Sequence, residues 1–225
     1  MSARDDSELL DLCDRDGSLL GRTKARWRVH QDGDWHRTIH IWVWTYDHDH
    51  CPALVFQRRA LGKDTWPGAI DVAVSGHLRA GETFEEALRE AEEEIGLRVD
   101  MSDLVQLGRR RHCVATGREH RDNELQTIFA TRAPVSLKGL RPFTDEVSAV
   151  LVLPHAAAGE LFRREIDAAW ATRHVTDADS ADLLQAPLTA QSFVAAPDGY
   201  YLRAHASIAE VMAGSAPKAW ELSDG

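Results

Sequence analysis

Three glutamates, Glu90, Glu93 and Glu94, have the spacing to meet on one side of a helix. With Glu90 at zero and about 100° per residue, Glu93 falls near 300° and Glu94 near 40° on the helical wheel. Phe84, Ala87, Leu88, Ala91 and Ile95 fall between roughly 60° and 160°, a single apolar stripe beside that arc. One face therefore docks on a core while its neighbour presents clustered negative charge. Packing does not favour such crowding, because like charges at i,i+4 destabilise a helix by a few tenths of a kcal/mol. A hard divalent cation relieves it, and Mg²⁺ prefers oxygen ligands and holds substrate phosphates well. The bland alternative is a solvated acidic face. Thr83 with Glu86 three residues on forms a capping box that starts the helix at about Thr83, and Gly96 is a natural stop.

The run Arg89-Glu90-Ala91-Glu92-Glu93-Glu94-Ile95-Gly96-Leu97, with Gly76 and Glu82 before it, resembles the Nudix box G-x5-E-x7-R-E-U-x-E-E-x-G-U, where U is apolar. Six residues separate Glu82 from Arg89 where the family has seven. One residue fewer rotates what precedes it by about 100° and shortens the rise by about 1.5 Å. Glu90, Glu93 and Glu94 keep their mutual spacing; the aim of the Gly76–Gly81 loop and a Glu82–Arg89 pair are what the shortening touches.

The whole chain sets wider bounds. Its 225 residues carry a net charge of −10, with 28% of residues charged, which argues against a nucleic-acid partner. Three cysteines, Cys13, Cys51 and Cys113, lie far apart without CxxC spacing, so no zinc site or disulfide framework is indicated. The first residues are polar and no apolar run approaches a membrane span, so the expectation is a cytoplasmic protein with no membrane partner.

The expected fold class is α/β (α+β): a Nudix-type α/β/α sandwich on a mixed sheet, with an N-terminal β-hairpin and a C-terminal helical extension. One domain spans 1–225, with a core of about 36–172 and extensions at 1–35 and 173–225. Leu9 to Asp14 and Ser18 to Thr23 read as the hairpin, lying beside the domain or serving a homodimer. Thr38–Tyr46, Ala53–Arg58, Ile70–Val74, Leu104–Arg110 and Leu125–Thr131 read as strands, and His112–Arg121 as a long polar loop. Pro142–Leu153 reads as a loop and strand, and Ala156–Arg173 as a long amphipathic helix. Thr176–Asp198 reads as a connection and Tyr200–Met212 as a final helix with Leu202, Ile208, Ala209 and Met212 inward; residues after Gly214 are expected to fray.

The resemblance implies further residues. Arg58 and Arg59 close a strand where related proteins face substrate phosphates, a task that suits planar guanidinium. Gly76 and His77 fall at the substrate side of the box. Glu124, with Asp122 behind it, stands where the family supplies a further carboxylate, and Glu146 is a weaker candidate of the same kind. The implied activity is Mg²⁺-dependent hydrolysis of an organic diphosphate, with Mn²⁺ as the alternative ion. Glu90, Glu93, Glu94 and Glu124 would hold the metal, and either Glu93 or Glu124 would take the proton of the attacking water. Arg89 falls off the metal arc and reads as holding a glutamate in place.

Trp66-Pro67-Gly68, Gly76-His77, His30 and His36 also resemble isopentenyl diphosphate isomerase, which shares the fold. That enzyme has a catalytic cysteine where this chain has Ser75, and a hydroxyl is the poorer acid and nucleophile. His36 and His77 could ligate a metal or simply be packing residues. A third class is a diphosphate binder with a degenerate box.

Overall fold

The computed structural model describes residues 7–47, 49–116, 120–133, 140, 145–174 and 184–223. Strand β3, Trp35–Tyr46, is the axis of the sheet, and every residue from Thr38 to Thr45 is buried. Its β-branched and aromatic residues alternate between faces, as a strand covered on both sides requires. Ile39, Ile41 and Val43 pack with Ala87, Ala91 and Ile95 of helix α2, Arg89–Ile95. Trp42 and Trp44 pack instead with Leu161 of α3, His155–Phe162, and with Tyr200, Ala204 and Ile208 of α4, Tyr200–Met212. Helices thus cover both faces of a mixed sheet, the expected sandwich.

The sheet runs β11-β10-β9-β4-β3-β8-β7-β12. Its strands are β4 (Pro52–Arg59), β7 (Val105–Thr116), β8 (His120–Arg132), β9 (Val147–Pro154), β10 (Ala169–His174), β11 (Leu184–Leu188) and β12 (Trp220–Ser223). The β3–β8 and β7–β12 pairs are parallel. Short strands β5 (Ile70–Val72) and β6 (Val74–His77) pair with β4 and β3. The N-terminal hairpin is present as β1 (Leu9–Cys13) and β2 (Leu19–Ala25), and β1 touches β3 at Leu12↔His36.

Several expectations are corrected. A short helix, α1 (Arg26–Asp32), follows the hairpin and ends at Gly33, whose φ of 72° lets the chain turn into β3. The long helix over Ala156–Arg173 stops at Phe162, because Arg164 adopts φ 59°, a left-handed backbone that no helix can continue through. Ile166 and Trp170 then have helical spacing without a helix, and Trp170, in β10, is 61% exposed. The expected connection over Thr176–Asp198 contains β11, which pairs with β10; residues 176–183 of that stretch lie outside the described ones. The end of the chain adds β12 beside β7, with Trp220 buried, so the expected fraying from Gly214 onward stops short of residues 220–223. The extension is therefore both helical and β. On α4, Leu202 and Ala209 face outward; Tyr200, Ala204, Ser207 and Ile208 form the buried face.

The polar stretch His112–Arg121 is likewise strand rather than loop at residues 112–116 and 120–121, while residues 117–119 lie outside the described ones. Strands β7 and β8 pair from Val105↔Ala130 to Thr116↔His120, so the ladder satisfies the backbone whatever the side chains are. Asp122, Asn123 and Glu124 consequently lie inside β8 rather than ahead of it.

Candidate active site

The capping box forms as expected, but the regular α-helix starts at Arg89 rather than at about Thr83. Thr83 N–H and Oγ donate to Glu86 Oε2 at 2.8 and 2.9 Å, and Glu86 N–H donates back to Thr83 Oγ1 at 3.3 Å. Residues Glu86–Leu88 form a 3₁₀ turn before α2 proper. A 3₁₀ turn advances about 120° per residue, so these residues recover about 60° of the rotation lost to the shortened spacing. The Glu82–Arg89 pair survives: Arg89 Nε and Nη2 donate to the two Glu82 oxygens at 2.7 and 3.1 Å. The same guanidinium donates to Glu90, to Glu93 Oε2 at 2.8 Å and to the His77 carbonyl at 3.3 Å. Arg89 thus sits amid the acidic cluster and fastens it to β6.

The three glutamates do not share one environment. Glu94 is buried and accepts from Ser75 N–H and Gln57 Nε2, each at 2.9 Å. Glu90 is buried against Gly76, where a Cβ would lie 2.3 Å from Glu90 Cγ, so glycine is what admits the carboxylate. Glu93 stands half exposed beside Arg79, at 3.7 Å. Burial pushes Glu90 up to about 7 and Glu94 well above the usual carboxylate range. Clustered carboxylates whose charge burial disfavours suit a hard cation.

A second cluster is tighter. His30, His36, His77 and Asp122 bring one ligand atom each within 4.8 Å of one another. Sheet register assembles them: β6 runs against β3 with Thr38↔His77, and β8 runs beside β3 with His36↔Glu124. Helix α1 then carries His30 to within 3.2 Å of His77, Nε2 to Nε2. His36 Nδ1 lies 3.0 Å from the Asp34 carbonyl, which can only accept, so Nδ1 donates there, and in the neutral ring Nε2 is the nitrogen with the lone pair. That Nε2 is buried and makes no hydrogen bond. It lies 3.6 Å from Asp122 Oδ1, which is equally far from His30 Nε2. Imidazole nitrogens beside a carboxylate fit a transition-metal cation, Zn²⁺ through the imidazoles or the harder Mn²⁺ where the carboxylate shares it. Burial and neighbouring cationic groups hold His77 well below the usual histidine range, leaving it neutral.

Glu124 stands beside the histidine cluster. Its Oε1 is 3.7 Å from His77 Nε2, and its Oε2 accepts from Gln126 Nε2 at 2.6 Å. Gln126 is oriented in turn by Arg110, which donates to its carbonyl oxygen at 3.2 Å and pairs with both Asp198 oxygens at 2.6 and 3.0 Å. Asp198 lies one residue before the N-cap Gly199 of α4, so the C-terminal extension holds Glu124 in place through two buried side chains. Burial and then the Asp122 charge raise the Glu124 pKa.

Glu90 and Glu93 of the first cluster and His30, His77 and Asp122 of the second line one cavity of about 350 Å³, together with Glu124, Arg59, Ser75, Gly76 and Glu146, whereas Glu94 and His36 are not among its lining residues. Arg59 donates to Thr65 O at 3.0 Å and to Thr65 Oγ1 at 3.1 Å, and pairs with Asp71 at 3.3 Å. Arg58, its neighbour on β4, is not among the lining residues, because successive strand residues face opposite ways. Glu146 pairs with Lys63 at 3.2 Å at the rim. Sequence reasoning named His30, His36 and His77 but did not gather them with Asp122. It missed Gln57, Arg110, Gln126 and Tyr200, which no local spacing marks.

The Nudix domain model matches residues 34–175. Nudix hydrolase 3 of Arabidopsis thaliana is 32% identical over 152 residues, 66% of this chain but only 19% of that protein. An uncharacterised Nudix hydrolase of Clostridium acetobutylicum is 29% identical over 197 residues, covering 87% of this chain and 94% of its own length. The isopentenyl-diphosphate Delta-isomerase of Rhizobium rhizogenes is 30% identical over 150 residues, 66% of this chain and 68% of its own length. A Deinococcus radiodurans crystal structure superposes with a TM-score of 0.48 at 22% identity, over 70% of this chain and 88% of that one. No helix among the described residues is long and apolar enough to cross a membrane. Carrying the box on its helix and matching the family over residues 34–175, the chain belongs to the Nudix hydrolases, enzymes acting on phosphorus-containing anhydrides.

Proposed function

We propose that this enzyme hydrolyses the anhydride of a small organic diphosphate, with Mg²⁺ or Mn²⁺ at Glu90, Glu93 and Glu94 and a second cation at His30, His36, His77 and Asp122. The observation that carries this reading is the shared cavity: Glu90 and Glu93 on one wall and His30, His77 and Asp122 on the other face the same 350 Å³. When bound, such cations neutralise phosphate oxygens and acidify a water. Arg59 adds a cation held rigidly by Thr65 and Asp71, suited to orienting a phosphate. Glu93 or Glu124 accepts the proton of the attacking water; Glu124 is the better fixed and Glu93 the better solvated. Arg89 keeps the glutamates in register with β6. The chain acts as one domain, a reading supported by β10, β11 and β12 extending the same sheet.

An isomerase-type reaction is the second reading, favoured by the histidine cluster beside Glu124 and by the isomerase relatives. It lacks the thiol, since Ser75 stands in its place. A panel of nucleoside and prenyl diphosphates, assayed for phosphate or pyrophosphate release with cation and with chelator, separates the readings. Release that needs the cation supports hydrolysis. Solvent hydrogen exchanged into an uncleaved prenyl diphosphate replaces it with isomerisation, and binding without turnover leaves a binder.

A further inference from the structure

A buried relay runs from the C-terminal helix to Ser75 on the cavity wall. Trp42 Nε1 donates to the Tyr200 hydroxyl at 2.9 Å, and the same oxygen lies 2.9 Å from His40 Nδ1. His40 Nε2 lies 3.4 Å from Ser75 Oγ. Trp42, Tyr200 and His40 are 0%, 2% and 5% exposed. An indole N–H can only donate, so the phenol oxygen accepts from Trp42. Its own single proton then has His40 Nδ1 as its acceptor among the described residues. A neutral imidazole that accepts at Nδ1 carries its hydrogen at Nε2. Burial keeps this ring neutral, pushing it down to about 4. The Nε2–H therefore points at Ser75 Oγ and occupies one of its lone pairs.

A serine beside a histidine resembles a nucleophile with its base, but here the polarity is reversed. An Nε2 that already holds a hydrogen cannot take the serine proton. The Ser75 hydroxyl is left to donate, and Ser75 lines the cavity.

We propose that Trp42, Tyr200 and His40 are positioning residues that set the Ser75 hydroxyl as a hydrogen-bond donor to an anionic oxygen of the bound diphosphate. The proposal rests on the diphosphate reading above and adds the C-terminal helix, through Tyr200, to the substrate site.

Two measurements on the full chain test it. The first is ¹⁵N NMR of the His40 ring without ligand, which reads the relay whatever the cavity binds. The expected signature is a protonated Nε2 and a bare Nδ1, lost to a mixed or Nδ1–H tautomer in Tyr200→Phe; an Nδ1–H tautomer in the wild type overturns the proposal. The second is binding of inorganic pyrophosphate with Mg²⁺. Ser75→Ala should weaken it about five- to tenfold, as loss of one charge-assisted hydrogen bond does. Ser75→Thr should stay within about twofold, and Tyr200→Phe added to Ser75→Ala should cost nothing more, the mark of one coupled unit. Unchanged binding in Ser75→Ala, or additive losses, overturns the relay's role. Should Tyr200→Phe fail to fold, His40→Gln supplies the coupling test. A correct tautomer in a wild type that binds no pyrophosphate sinks the diphosphate reading, and Ser75's role with it.

Discussion

The glutamate wall and the histidine wall of the cavity reach the same end by opposite means. Glu90, Glu93 and Glu94 come from five consecutive residues of one helix, and a single guanidinium, Arg89, gathers two of them. His30, His36, His77 and Asp122 come from α1, β3, β6 and β8, and the register of the sheet together with the packing of α1 brings them together. Burial strips charge from both, raising the carboxylates and depressing His77. The consequence differs. Carboxylates must release protons to bind a cation, whereas neutral imidazoles are already ligands.

Breaking one wall at a time tests this division. The largest expected effect is on catalysis: Glu124→Gln and Glu93→Gln, compared in steady-state kinetics, should separate the base, whose loss lowers turnover by about 10²–10⁴. Equal, small losses in both would remove the proton-transfer role from either. Next in size is Gly76→Ala, which forces a methyl into Glu90 and should destabilise the fold by about 1–3 kcal/mol in thermal melts. An unchanged melting temperature would show that Glu90 is not seated there.

The contrast in protonation gives a pH prediction. Between the ordinary carboxylate range and about 7, the folded chain holds a proton on Glu90 that the unfolded chain has released. The contribution of Glu90 to metal-free stability therefore falls as pH rises through that window. Calorimetry near pH 6 in buffers of differing ionisation enthalpy should find proton release on Mg²⁺ binding, diminished in Glu90→Gln and unaffected by His36→Asn. The smallest effect separates two adjacent arginines: Arg59→Ala should raise KM by about tenfold, the worth of roughly 1.4 kcal/mol, while Arg58→Ala should leave KM near the wild-type value.

What could be read beforehand followed the same division between local and assembled features. The capping box, the glutamate face and Gly96 are local, and each appears where helical spacing puts it. Retention of the Glu82–Arg89 pair depends on a 3₁₀ turn, a winding that the residue count alone does not specify. His30, His36, His77 and Asp122 lie 6 to 92 positions apart with no motif spacing, so their convergence is a property of strand pairing and of where α1 packs. The polar arm of β7 and β8 shows the converse error, because its backbone ladder, not its side-chain polarity, decides its conformation. At Arg164 a positive φ ends a helix that periodicity alone would have carried to Arg173.

Anomalous diffraction from crystals soaked in Mn²⁺ with a non-hydrolysable diphosphate tests the two-walled cavity most directly. The account predicts one peak ligated by Nε2 of His36 and by the histidine wall, a second at the Glu90–Glu93–Glu94 face, and diphosphate oxygens between them. No peak on either wall, with the diphosphate bound elsewhere, would contradict it.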